Sequence, residues 1–200
     1  MTESFVVPGT VEWSGENPGI SLKLDPAGPF TAMASFFRVI LSPHGRGHAL
    51  VLARQPGEAS AANLVLTDNE PLARWLVANY LSHFAAWRGL PCLDGIRYAK
   101  AEDVSPSGDP AGPSYTETIH GDGLTVALTW TGLGAPFCFA HPPENSATGA
   151  HWMPSLFVGC ETASITVNGE PLPGAPVPRV VAGHPISTAM LAFAETWVRP

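Results

Sequence analysis

Positive charge is what this chain has least of. Two lysines, Lys23 and Lys100, and eight arginines stand against seventeen acidic residues, for a formal net charge of −7. The deficit is local. Residues 1–100 balance eight basic against eight acidic side chains, whereas residues 101–200 hold only Arg179 and Arg199 against nine acids. A nucleic-acid partner needs a basic stripe that displaces counterions, and an anionic membrane surface needs the same, so neither is expected. Two lysines also leave few places for Schiff-base chemistry.

Other absences narrow the field further. The three cysteines, Cys92, Cys138 and Cys160, are widely spaced and form no CxxC pair. The N-terminus, MTESFVVPGT, has neither a basic n-region nor an apolar h-region. Together these predict reduced thiols in a cytoplasmic protein. No apolar run approaches the ~20 residues of a membrane helix. The signatures GxGxxG, HExxH and GxSxG are missing, which removes the common dinucleotide, metalloprotease and serine-hydrolase readings.

What is present is a globular, turn-rich composition: 45% hydrophobic residues with 21 prolines and 20 glycines. It predicts one domain over residues 1–200, built of short elements. One stretch reads as a helix, Thr67 to Gly89. Thr67 and Glu70 have capping-box spacing, and Leu72, Trp75, Leu76, Tyr80, Phe84 and Trp87 recur on one face, so a helix is expected over about 68–88. Around it the patterning is β. Strands are expected at Phe5–Val7, Thr10–Trp13, Ile20–Leu24, Ala49–Arg54 and Ile96–Ala99, and Phe30–Ser42 reads as a strand buried on both sides in preference to a short helix; Asn63–Leu66 leads into the helix, and Ala135–Ala140 is apolar. Ser114–His120 and Leu124–Trp130 form a predicted hairpin, and Ser155–Val167 ends in the turn pair Asn168-Gly169. Ser187–Val198 reads as one final strand. Ala101–Pro113 and Pro173–Pro185, rich in proline, read as loops. The fold class is therefore mainly β: a single antiparallel barrel or strongly curved sheet, lipocalin-like in architecture, with one amphipathic helix packed across it as a lid. Architecture of this kind does not fix function.

Candidate functional residues come from strand parity. Glu161 alternates with Phe157, Ala163 and Ile165. Glu195 alternates with Phe193 and Trp197, and Glu117 with Tyr115 and Ile119. Arg38 lies in phase with Phe36 and Ile40, and Arg54 with Leu50 and Leu52. Charges on a core-facing parity are structural ion pairs, groups reaching water at strand ends, or residents of a wet cavity. In the cavity reading, Arg38 or Arg54 anchors a carboxylate or carbonyl. Glu161, first among Glu117, Glu195 and the nearby His120, moves a proton. Trp130, Trp197 and Phe157 would line the apolar part.

Histidines offer a second set. His141, Glu144 and His151 lie in or beside one loop and are weak candidates for a divalent metal such as zinc, though two prolines remove the helical facing that an HxxE pair needs. The turn His44-Gly45-Arg46-Gly47-His48 suits an anion, but no helix follows it directly. No cofactor is predicted. Three functions fit these residues. One is a cofactor-free acid–base enzyme (isomerase, cyclase, hydratase or decarboxylase) acting on a small, largely apolar molecule. The second is a non-catalytic carrier or sensor of such an apolar or amphipathic ligand. The third is a metal-dependent enzyme. A homo-oligomer is compatible with all three.

Overall fold

The computed structural model describes residues 7–200, so Phe5 and Val6 of the expected first strand lie outside the described residues. The chain opens with β1 (Thr10–Glu16), β2 (Gly19–Leu22), β3 (Ala32–Leu41), β4 (Gly47–Ala53) and β5 (Leu64–Thr67), followed by α1 (Glu70–Asn79). Then come β6 (Arg97–Lys100), β7 (Asp103–Gly108), β8 (Ser114–Gly121), β9 (Leu124–Leu133) and β10 (Phe137–His141). The long β11 (Met153–Val167) and short β12 (Glu170–Pro171) precede β13 (Pro178–Val181), β14 (His184–Ser187), β15 (Ala189–Phe193) and β16 (Glu195–Arg199). Ten of these strands pair in the order β6-β5-β4-β3-β2-β15-β11-β9-β8-β7, antiparallel except for β5 with β6. This is a mainly β fold, a curled half-barrel with one α-helix packed across it.

How tightly the sheet curls can be read from one contact. Arg38 on β3 and Glu117 on β8 are five strand spacings apart along the sheet, roughly 24 Å if it were flat. Their side chains nevertheless meet at 2.7 Å. The chain itself links the two edges. Ala101 N donates to Thr67 O on β5, and the next residue, Glu102, donates to His120 O on β8. Inside the curl, Leu50, Leu52, Leu64, Leu128, Ile165 and Trp130 form one dry core. Each contributes about 1.5–3 kcal/mol on burial, before entropy is subtracted.

The helix packs where sequence periodicity did not place it. The opposite parity of β3, β4 and β5 (Met33, Phe37, Val51, Val65) buries Leu72, Leu76, Tyr80 and Trp87 in a second core. The helical segment therefore covers the outer face of the sheet and is not a lid over the mouth of the curl. It is also shorter than the expected 68–88. Asn79 donates its side-chain amide to Trp75 O, and Ser82 its hydroxyl to Ala78 O. Such local bonds compete with the backbone ladder, and the chain continues as a 3₁₀ turn, Leu81–His83. The cap is Asn69, whose side chain accepts from Leu72 N. Thr67 instead donates to His48 O, so the expected capping box is not formed.

Three β expectations also change. Asp103–Gly108, read as loop, pairs with β8 as an edge strand, where Pro106 is tolerated because one side needs no donor. The second expected loop holds β13 and the start of β14, which pair as a two-stranded ribbon. The final strand is broken at Ala194, whose φ of 53° ends β15 before β16 begins. The turn at Asp122-Gly123 and the pair Asn168-Gly169, all at positive φ, form as expected.

Candidate functional site

The inward-parity charges divide into three groups. Arg38 and Glu117 do meet inside the curl. Arg38 Nη2 donates to both Glu117 oxygens at 2.7 and 2.8 Å, its Nη1 donates to Glu16, and Tyr115 adds a bond of 2.6 Å to Glu117. Glu117 is wholly buried. Burial is the largest single influence and opposes the Arg38 charge, but the Glu117 and Glu16 carboxylates with Tyr115 together outweigh it and raise the guanidinium pKa. A pair this completely matched is a cross-strut of the curl and not an open anchor. Trp130 belongs to the same interior, its indole N–H on Gly19 O.

The second group lies at the surface. Arg54 is exposed at the end of β4. His120 faces outward against Thr125 Oγ1 at 2.9 Å. Glu161, the leading candidate from parity, is exposed. Opposite it stands Gly132 at φ +68°, and a Cβ there would come within 2.7 Å of the Glu161 side chain. This kink reverses the facing of the strands: Trp130 and Leu133 both pack on the interior despite opposite parity, as do Cys160 and Ala163. Strict alternation therefore fails at Glu161. It borders a small cleft of about 400 Å³ with Cys160 and His184, where burial pushes the Cys160 thiol up and away from nucleophilic use.

The third group builds a site. A groove of about 650 Å³ runs along the outer face of the sheet. Its floor comes from β2, β3, β15 and β16. The segment after α1 (His83–Arg88) forms one wall, and β10, β11 and β13 form the other. Phe84, Phe139, Phe157, Met190 and Trp197 make the lining largely apolar, and Phe84 stacks on Trp197 with centroids 5.8 Å apart. Glu195, only 4% exposed, sits in this floor. Trp197 Nε1 donates to its Oε1 at 2.7 Å, and the Asn17 amide is its other partner. Asn17 is held in turn by the Ser35 hydroxyl at 2.7 Å. Among the described residues no cation lies within ion-pair distance of Glu195. Burial dominates over the two neutral donors, and the carboxyl is pushed up to about 7.

The far wall carries Arg179. Its Nε donates to Ser187 O at 3.1 Å and its Nη2 approaches Met190 Sδ at 3.3 Å. Among the described residues it too has no charged partner. Burial lowers its pKa. His141 reaches the groove, and burial lowers its pKa as well.

The loop set does not assemble as a metal site. His151 is committed to Glu12 at 2.9 Å and Thr148 at 2.7 Å, and Glu144 is exposed. Among the described residues no three His, Cys, Asp or Glu side chains converge as ligands. The turn at 44–48 is stitched to the helix start instead, through Asn69 Nδ2 on the carbonyls of His44 and Arg46 and through Asp68 on His48.

Of the sequence candidates, then, Glu195, Trp197, Phe157 and His141 converge on the groove. Phe84 joins it from the apolar face of the expected helix, and Asn17, Phe139 and Arg179 complete it and were not foreseen. Only Arg179 left a trace in the sequence, as the one basic residue between Lys100 and Arg199. No described helix is long and apolar enough to cross a membrane. No family model, no curated protein and no solved structure matches this chain.

Proposed function

We propose that the outer groove binds a small, largely apolar molecule and that Glu195 exchanges a proton with it, in acid–base chemistry of the isomerisation or hydration type that needs no cofactor. The observation that carries this reading is Glu195 itself: a buried carboxyl, facing an apolar groove, with neutral donors and no cation. A structural carboxylate would be expected to be matched, as Glu117 is. With its pKa near 7, Glu195 can both accept and give a proton at neutral pH. The Asn17 and Trp197 donors fix its orientation, which is what a proton-transfer group requires.

Deuterium exchange tests this directly. The protein is incubated in D₂O with apolar ketones and enoates, and NMR reads label appearing at carbon. Exchange should rise with pH through about 7 and vanish in Glu195→Gln. Label gained equally by that variant would remove Glu195 from the chemistry. A ligand that binds saturably and exchanges nothing would instead favour the carrier reading, which the apolar lining also supports.

A further inference from the structure

The groove reading leaves one charge without a role. Arg179 lies on a two-stranded ribbon outside the main sheet, in antiparallel register with Ile186. Two of its donors meet a backbone carbonyl and a thioether, and a thioether is a weak acceptor. Among the described residues no carboxylate reaches it. Arg179 borders the same groove that Trp197, Phe84 and Phe157 line. A partly buried guanidinium without a counter-charge is costly. That cost is recovered when an anion enters, because the planar fork takes a carboxylate through two parallel bonds.

We propose that the ligand of this groove is a small amphipathic carboxylic acid, its carboxylate held by Arg179 and its apolar body lying against Phe84, Trp197 and Phe157. The inference rests on the groove being the binding site. A carboxylate is favoured over a phosphate monoester by the charge balance. Arg179 is the half-buried guanidinium of the groove, whereas the rim arginine Arg88 is exposed to solvent with its Nη2 on the carbonyls of His83 and Ala147, and an ionised Glu195 in the floor disfavours a second negative charge. The other titratable groups at the groove are His83 on the rim and His141.

The probes are naphthalene-1-acetate and its neutral isostere naphthalene-1-acetamide, titrated calorimetrically into the full chain. The acid should bind roughly 10-fold or more tightly than the amide, as a charge-assisted bidentate contact implies. Arg179→Gln should erase that preference by weakening the acid far more than the amide, and amide binding that persists shows that the groove is intact. Arg179→Lys should restore part of it. Trp197→Ala should weaken both probes. If the amide binds as well as the acid and Arg179→Gln changes nothing, the anchor is overturned while the groove stands. If wild-type protein binds neither probe, both readings fall. Should Arg179→Gln fail to fold, the wild-type acid-to-amide ratio and its decline with added salt decide the question.

Discussion

The inside of the curl and the groove on its outer face contain the same chemical ingredients, arranged to opposite ends. Inside, Glu117 is wholly buried and answered by Arg38 and Tyr115. In the groove, Glu195 is nearly as buried, and Arg179 is present, yet the two do not pair. The inner pair completes a fold, because leaving either charge unmatched in a dry core would cost several kcal/mol. The outer charges border a space that a ligand can fill. Burial alone therefore does not mark a site; a buried charge left unanswered beside a cavity does.

Breaking the inner pair should have the largest effect. Glu117→Ala leaves the part-buried Arg38 with only Glu16, and should cost about 3 kcal/mol in urea denaturation. Groove-probe affinity at a temperature where the variant is folded should not change. A variant of wild-type stability would show that Glu16 and solvent suffice for Arg38 and that the cross-strut is not needed.

Glu195 should give a smaller, pH-dependent effect of opposite sense. Its pKa rises from 4.5 to about 7 on folding, so between those values the native state holds a proton that the unfolded chain has released. Its contribution is greatest below about 4.5, falls as pH rises to about 7 and is flat above. The total loss is about 3 kcal/mol, at 1.36 kcal/mol per unit. Glu195→Gln should remove that slope. His141, its pKa lowered by burial, contributes stability that rises with pH in this region, so the difference between wild type and variant isolates Glu195. A difference independent of pH would mean that the carboxyl is charged throughout.

The smallest effect is expected where a buried-edge carboxylate has partners to spare. Glu12 accepts from Arg199, from Tyr80 at 2.6 Å and from His151. The Arg199 bond first, against burial and with help from the Tyr80 and His151 bonds, holds its carboxyl down at about 2. Its contribution is present above about 4.5 and lost only as pH falls toward 2. Tyr80→Phe removes one of the three donors and should cost about 1 kcal/mol by thermal denaturation, with a loss of 3 kcal/mol or more showing that the three bonds act as one unit.

Local sequence was sufficient for the β class, the hairpin at Asp122-Gly123, the turn at Asn168-Gly169 and the start of a helix near residue 70, because side-chain periodicity and turn chemistry act over a few residues. It also made Glu117 and Arg38 stand out as inward charges, and Glu195 with Trp197 as same-face neighbours. It could not show that Gly132 kinks its partner strand and turns Glu161 outward, nor that the helix lies on the outer face. Both depend on strands brought together from distant parts of the chain. Above all, parity tells which residues share a face but not which faces enclose space. Arg38 was answered and Arg179 was not only because the sheet curls one way, carrying Glu117 across its interior and leaving the groove outside.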